Sequence, residues 1–442
     1  MNSLDDLLTH IGKLQGNQGL FRYMANKTAN FKKGIDTVFY AGPFWDTREV
    51  EAAVRSLIEG KWLSSGESVM KFERKFSKQF GFKESLMVNS GSSANLIMLA
   101  AIKKVLGWKD GDEVIVSVVG FPTTINPIIQ NNLKPVFVDI SFEDLNWNLD
   151  QVAGAITSKT RAVLSSPVLG NPYNFDRLLD IVETYGIEII SDNCDSLGSK
   201  WKGRFLTEFS LAASCSFYPA HHITTMEGGM VSSNNEEIIK TARSLAWWGR
   251  DCYCVGAQNL LPEGTCKNRF SKWIPDCDVV LDHKFIYENI GYNLKPLDLQ
   301  GAIGIVQLEK IHEIESKRRL NKDRIHLALS SIPGVRVIGE LESAHTSWFG
   351  VPVVCESKLQ KYNLVRFLES RKIQTRNYFA GNILQQPAYR SFGDYRNFPE
   401  ASKVLEQVFF VGCSPTITSE MLDYIDEVVG DYCDLVKSGM VD

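Results

Sequence analysis

A chain of 442 residues is too long for one simple core and fits a large domain plus a smaller one. Hydrophobic residues at 44% and charged residues at 23% describe a globular protein, and a formal net charge of −4 without a long basic run argues against nucleic-acid binding through bulk electrostatics. No run approaches ~20 apolar residues, so no membrane-spanning helix is expected, and the opening MNSLDDLLTHIGKLQG lacks the basic start, apolar core and cleavage site of a signal peptide; the expected setting is cytoplasmic.

Residues 1–35 read as a helical extension. From Glu49 to Phe80 the spacing of Val50, Ala53, Val54 and Leu57, then Phe72, Phe76 and Phe80, predicts two amphipathic helices around a turn at Ser64–Ser65–Gly66. Short apolar runs at Glu113–Val119, Lys134–Ile140, Arg161–Val168, Ile187–Asp192 and Ala212–Tyr218 alternate with helical patterns such as Ser93–Val105 and Asn174–Tyr185. That alternation predicts an α/β fold with a buried parallel or mixed sheet. A long helix starts near Leu297 and runs past Leu308. Strands at Val335–Ile338 and Phe349–Val354, with helices at Lys358–Arg371 and Ser419–Val436, then predict a smaller α+β domain. The expected division is 1–35, 36–310 and 311–442.

Three segments carry polar chemistry. Ser90–Gly91–Ser92–Ser93 precedes an apolar-periodic helix, where small residues let amides and hydroxyls face an anion; an ordinary capped helix start has the same letters. Asp192 ends an apolar strand, placed either to pair with a cofactor's pyridinium nitrogen or to cap the next segment. Ser216–Phe217–Tyr218–Pro219–Ala220–His221–His222, followed by Glu227–Gly228–Gly229, makes a poor core segment. Paired histidines also suit a metal, but no third ligand follows at helical spacing.

In this order the segments resemble the DegT/DnrJ/EryC1/StrS sugar aminotransferases, a branch of the aspartate-aminotransferase (type I pyridoxal phosphate) fold. The resemblance extends over roughly residues 40–440 and includes Gly60–Lys61–Trp62–Leu63, Phe137–Val138–Asp139, Gly291–Tyr292–Asn293 and Gln300 to Leu308. It implies that Asp192 pairs with the pyridine nitrogen, that Gly91, Ser92 and Ser216 hold the phosphate, and that Phe121 stacks on the ring. It also implies a homodimer in which Asn293 reaches the partner subunit's cofactor phosphate. Arg376, within Gln374–Gly381, and Tyr218 are the expected substrate contacts, with an exposed arginine in a turn as the alternative for Arg376.

One departure is decisive: the family's aminotransferases carry a lysine where this chain has His221. Imidazole cannot form the stable Schiff base but can move a proton. The resemblance then narrows to the lysine-less branch, which holds pyridoxamine 5′-phosphate noncovalently and dehydrates nucleotide-linked 4-keto-6-deoxysugars at C3. In that branch a CDP-sugar enzyme carries a two-iron two-sulfur (2Fe-2S) cluster and draws electrons from an NADH-dependent iron–sulfur flavoprotein reductase. A GDP-sugar enzyme, for 4-keto-6-deoxymannose, carries no cluster. By the family spacing Cys194, Cys252, Cys254 and Cys266 are the expected cluster ligands, with Cys277 in reserve for the fourth. The polar, glycine-containing loop around Cys252 argues for exposed thiols; buried cysteine or zinc are the alternatives. Cys215, Cys355, Cys413 and Cys433 lie in apolar patterns and are expected in the core. The activity expected is C3 deoxygenation of a CDP-4-keto-6-deoxyhexose for dideoxysugars of lipopolysaccharide. The competing readings are the cluster-free GDP-sugar dehydratase and a fold relative without activity.

Overall fold

The computed structural model describes residues 4–14, 31–252, 269–271, 274 and 276–439. The chain runs through α1 (Leu4–Leu14), α2 (Thr47–Glu59), α3 (Glu67–Phe80), β1 (Glu84–Val88), α4 (Gly91–Val105), β2 (Glu113–Ser117), α5 (Pro122–Gln130), β3 (Lys134–Val138), α6 (Leu149–Ala155), β4 (Thr160–Ser165), α7 (Phe175–Tyr185) and β5 (Glu188–Asp192). It continues through β6 (Lys200–Trp201), β7 (Arg204–Phe205), β8 (Ala212–Ser216), β9 (Gly229–Ser233), α8 (Glu236–Ala246), α9 (Asp298–Glu309) and α10 (Ile311–Leu329). The last elements are β10 (Val335–Val337), β11 (Ala344–His345), β12 (Gly350–Cys355), α11 (Lys358–Ser370), β13 (Thr375–Asn377), α12 (Pro399–Gln407), β14 (Val408–Gly412) and α13 (Ser419–Lys437).

Seven strands form the main sheet in the order β1-β9-β8-β5-β4-β2-β3. Only β9 runs against the others. Strands β2, β8 and β9 are buried along their whole length, as expected of a sheet covered on both faces. Capping sets the helix limits: Asn174 caps the start of α7, and left-handed Gly186 ends it. A second, antiparallel sheet, β10-β12-β14-β13, packs against α10, α11 and α13 around Val351, Val353, Phe409 and Tyr432. Val38, far upstream, belongs to this second core.

The single helix expected from Leu297 onward is two helices, α9 and α10, parted at Lys310. At the junction the Lys310 amide turns back to the Gln307 carbonyl at 3.1 Å, a tightened last turn of α9. The Lys310 ammonium is 3% exposed and lies 2.7 Å from Glu49 and 2.9 Å from Asp46. Burial works against the charge on Asp46, yet hydrogen bonds from Arg48 and Lys310 hold its carboxyl well below the usual range. Gln307 extends the cluster, donating to Glu49 at 2.7 Å and to the Phe44 carbonyl at 3.1 Å. Its side-chain oxygen accepts the Thr224 amide at 3.1 Å. Thus one buried ionic cluster joins α2, the α9–α10 junction and the loop after β8. Removing one partner strands a buried charge. Lys310→Met should destabilise the fold by about 3–5 kcal/mol, read by chemical denaturation.

Candidate active site

The carboxyl ends of β5 and β8 open into a cavity of about 480 Å³, walled by the N-terminus of α4, the start of α5 and residues of the second sheet. Asp192, 5% exposed, ends β5. Its Oδ2 accepts hydrogen bonds from Asn95 Nδ2 at 2.8 Å and Thr124 Oγ1 at 2.6 Å. Its Oδ1 accepts the Cys194 amide at 3.2 Å, with Ser214 Oγ 3.5 Å away. The one Ser214 hydroxyl proton goes to Asn95 Oδ1 at 2.6 Å, locking the amide's orientation. Asp192 thus carries a fixed negative charge into the cavity wall.

A second group of polar atoms lies at the start of α4. Ser90 caps this helix, accepting the Ser93 amide at 3.1 Å, and Gly91 and Ser92 supply its first free amides. Gly91 packs so closely on Ser216 that a Cβ there would overlap the serine side chain. Ser216 Oγ accepts the Tyr218 amide at 3.4 Å. Helix N-terminus, Ser92 and Ser216 together make an anion cradle facing the cavity.

His221 lies on the loop after β8 and lines the same cavity. Its Nδ1 is 3.7 Å from Asp195 Oδ1, and its ring tilts against Phe349 at 5.3 Å. Burial pushes His221 down to about 4, against the opposing pull of Asp192. Burial, with the Asp192 charge, pushes Asp195 up to about 7. The imidazole is therefore neutral at pH 7 and available as a base. Behind it, the buried Arg318 guanidinium donates to the His221 carbonyl at 3.0 Å and the Phe349 carbonyl at 3.3 Å. His222 plays a different part. Its Nε2 lies 2.6 Å from the Ser347 carbonyl, pinning the loop to the segment between β11 and β12. No lysine lines the cavity among the described residues.

The sequence pattern of the DegT/DnrJ/EryC1/StrS aminotransferase family matches residues 46–430. The chain belongs to this family. Its relatives include a dTDP-4-dehydro-2,6-dideoxy-D-glucose 3-dehydratase of Saccharopolyspora spinosa, 37% identical over 416 residues and covering 92% of this chain and 88% of that protein. The lipopolysaccharide biosynthesis protein RfbH of Salmonella typhimurium is also 37% identical, over 408 residues, 89% of this chain and 91% of the relative. A solved GDP-4-keto-6-deoxy-D-mannose-3-dehydratase of E. coli, with bound hydrated pyridoxal phosphate, superposes with a TM-score of 0.77. It is 32% identical and covers 88% of this chain and 98% of that one. The fold is thus the α/β architecture of the pyridoxal phosphate-dependent sugar aminotransferases and dehydratases.

Among the residues singled out from the sequence of this DegT/DnrJ/EryC1/StrS member, Gly91, Ser92, Phe121, Asp192, Cys194, Ser216, Tyr218, His221 and Arg376 all line the one cavity. Asn293 does not; it is exposed and touches Lys295. Cys254 and Cys266 lie outside the described residues. Cys252 corrects the expectation of an exposed thiol: it is 2% exposed, packed in the main core, with Sγ 3.7 Å from His283 Nε2. The polarity of its neighbours along the chain does not govern its own burial. Cys277 is half-buried, and Cys215, Cys355, Cys413 and Cys433 are buried as expected. Among the described residues no three histidine, cysteine or acidic side chains converge as a metal site.

Asn95, Thr124, Asp195, Tyr40 and Phe349 join the site without a role legible in the sequence. Asn95 alone leaves a trace, a polar residue inside the apolar run of α4. The cradle gives a direct test. Gly91→Ala should keep the far-ultraviolet circular dichroism of the fold but weaken pyridoxamine phosphate binding about ten-fold or more, measured by absorbance titration, because the added methyl displaces Ser216 from the helix N-terminus.

Proposed function

We propose that the chain is a pyridoxamine phosphate-dependent 3-dehydratase of nucleotide-linked 4-keto-6-deoxyhexoses, with a CDP-linked sugar as its substrate. The observation that carries this reading is an imidazole, His221, in a cavity with no lysine among its described lining residues. A transaminase in this family needs that amine; a dehydratase needs a base. Two relatives whose names specify 3-dehydration of dTDP- and GDP-linked sugars support the reaction class. The cysteine spacing read from the sequence supports the CDP-sugar branch.

The residues fit the cofactor. The α4 cradle with Ser92 and Ser216 suits a phosphate, Asp192 suits a protonated ring nitrogen, and Phe121 stands at the cavity's edge as a ring neighbour. When bound, pyridoxamine phosphate supplies an amine for the sugar's C4 ketone and a ring that takes up electron density. Asp192, held by Asn95, Thr124 and the Cys194 amide, keeps the ring nitrogen's proton in place. His221 moves a proton within the cavity, its position set by Arg318 and Phe349. Tyr218 and Arg376 contact the substrate, Arg376 through the diphosphate. The proposal includes a twofold dimer in which Asn293 serves the partner's site. Exposed Leu63 and Leu297, joined through neighbouring main chain, offer apolar surface for it.

The proposal also includes a 2Fe-2S cluster, which Cys194, Cys252, Cys254 and Cys266 would hold and which would supply one-electron chemistry with an NADH-dependent reductase as the electron source. Cysteine thiols are the right donors, and Cys194 lines the cavity. Burial, reinforced by Asp192, pushes the Cys194 thiol far up, so a metal would have to displace its proton.

The test is oxygen-18 exchange from water into the C3 hydroxyl of CDP-, dTDP- and GDP-linked 4-keto-6-deoxyhexoses. Exchange fastest with the CDP-sugar is expected; exchange with none rejects the reading. His221→Lys should bind the cofactor aldehyde covalently, seen as a visible absorbance band, and lose C3 exchange by at least about a hundred-fold. Cys252→Ser should bleach the anaerobically reconstituted protein and stop net deoxygenation with reductase and NADH. C3 exchange should stay within about three-fold of the parent, since proton transfer is assigned to His221.

A further inference from the structure

A segment remote in sequence from the catalytic loops reaches the mouth of the cavity. The Val38 amide donates to the Lys372 carbonyl at 2.8 Å, and the Val38 carbonyl accepts the Gln374 amide at 3.0 Å. Val38 thereby runs parallel to the chain entering β13, like a short edge strand. Two residues on, the Tyr40 amide donates to Gln374 Oε1 at 3.3 Å. The Tyr40 carbonyl lies so tightly on Gly412 that any side chain at position 412 would overlap it. These contacts fix the Tyr40 backbone against β13 and β14.

The Tyr40 ring is held as firmly. It packs edge-on against Phe410, with centroids 6.2 Å apart. The Arg376 guanidinium lies over it, 4.0 Å from the ring centroid. Both side chains line the cavity. Arg376 Nη1 donates to the Thr375 carbonyl at 2.7 Å, and no carboxylate forms an ion pair with Arg376 among the described residues. A long, exposed arginine would otherwise lose much rotamer freedom on binding an anion. Stacking on a fixed ring removes that loss beforehand and leaves the planar edge of the guanidinium open to two phosphate oxygens.

We infer that Tyr40 is a positioning residue that holds Arg376 toward the diphosphate of the nucleotide-linked sugar. The inference rests on the proposed function and adds to it a part for the segment before α2. The stack explains why arginine stands at 376: lysine carries the charge but has no plane to lay on the ring.

Isothermal titration of the full chain with CDP, dTDP and GDP tests it. Arg376→Ala should weaken diphosphate affinity about ten-fold or more. Tyr40→Leu should weaken it about two- to five-fold, and Tyr40→Phe should bind as the parent does. In the Arg376→Ala background, Tyr40→Leu should add nothing. An equal loss in both backgrounds would mean that the ring touches the ligand itself, and no loss in either would mean that the stack is idle; each overturns the inference. Arg376→Lys covers the case in which Tyr40→Leu lowers the thermal midpoint: it keeps Tyr40 and the charge and should still lose most of the affinity. Parent-like binding by Arg376→Lys also overturns the inference. Parent-like binding by Arg376→Ala rejects instead the diphosphate contact on which it rests.

Discussion

A buried carboxylate has to be solvated by the protein, and Asp192 is solvated from three directions at once. Asn95 comes from α4, Thr124 from α5, and the Cys194 amide from the turn after β5, while Ser214 on β8 fixes the Asn95 amide. Burying a carboxylate without such partners is costly. The parallel register that sets Asp192 beside Ser214 is therefore an electrostatic requirement as much as a hydrogen-bonding pattern. The same register brings the end of β8, with Ser216, alongside the N-terminus of α4. One constraint on one side chain thus orders both the acidic end of the cavity and its anion cradle.

The opposite wall belongs to the second sheet, and Arg318 connects the two. Its guanidinium is 1% exposed and directs its donors to main-chain carbonyls of the His221 loop and of Trp348 and Phe349. Asp195 and Asp192 lie across the loop, while Arg318 adds to the burial that disfavours a second positive charge on His221. This balance favours the neutral imidazole and raises the Asp195 carboxyl, 3.7 Å away.

What the sequence makes legible depends on how local its causes are. Strands β2, β3, β5 and β8 and helices α4 and α7 bury continuous or periodic apolar residues, and their patterns survive in the letters. Helix α10 does not read this way, because it buries Arg318, Asn321 and Lys322 beside Ile314 and Ile325, so polarity and burial no longer coincide. Strand β9 hides behind a glycine pair and ends in serines. Asp192 and Ser216 sit at strand ends and His221 on the loop that follows β8, where polar letters interrupt apolar runs, and the family resemblance gives each an expected role. Tyr40 and Phe349 join the site only through tertiary packing, and no spacing along the chain encodes that. Cys252 escapes its expected exposure for a related reason: a polar loop can fold one thiol inward.

Replacing a covalent anchor by imidazole changes what the rest of the cavity must do. A lysine retains its cofactor through each turnover by a bond; a cavity without one retains it only through noncovalent contacts. Under the proposed function, retention falls on the cradle and on Asp192, which depend on the packing of Gly91 against Ser216 and on the donors around Asp192. Rigid elements can supply such precision where loops cannot, and the cradle is built on a helix start and a strand end. Tyr218, Phe121 and Arg376 are by contrast exposed side chains on the cavity's outer side. Under the proposed function, the loss of a single amine thus shifts the work of holding the cofactor onto the buried side of the cavity.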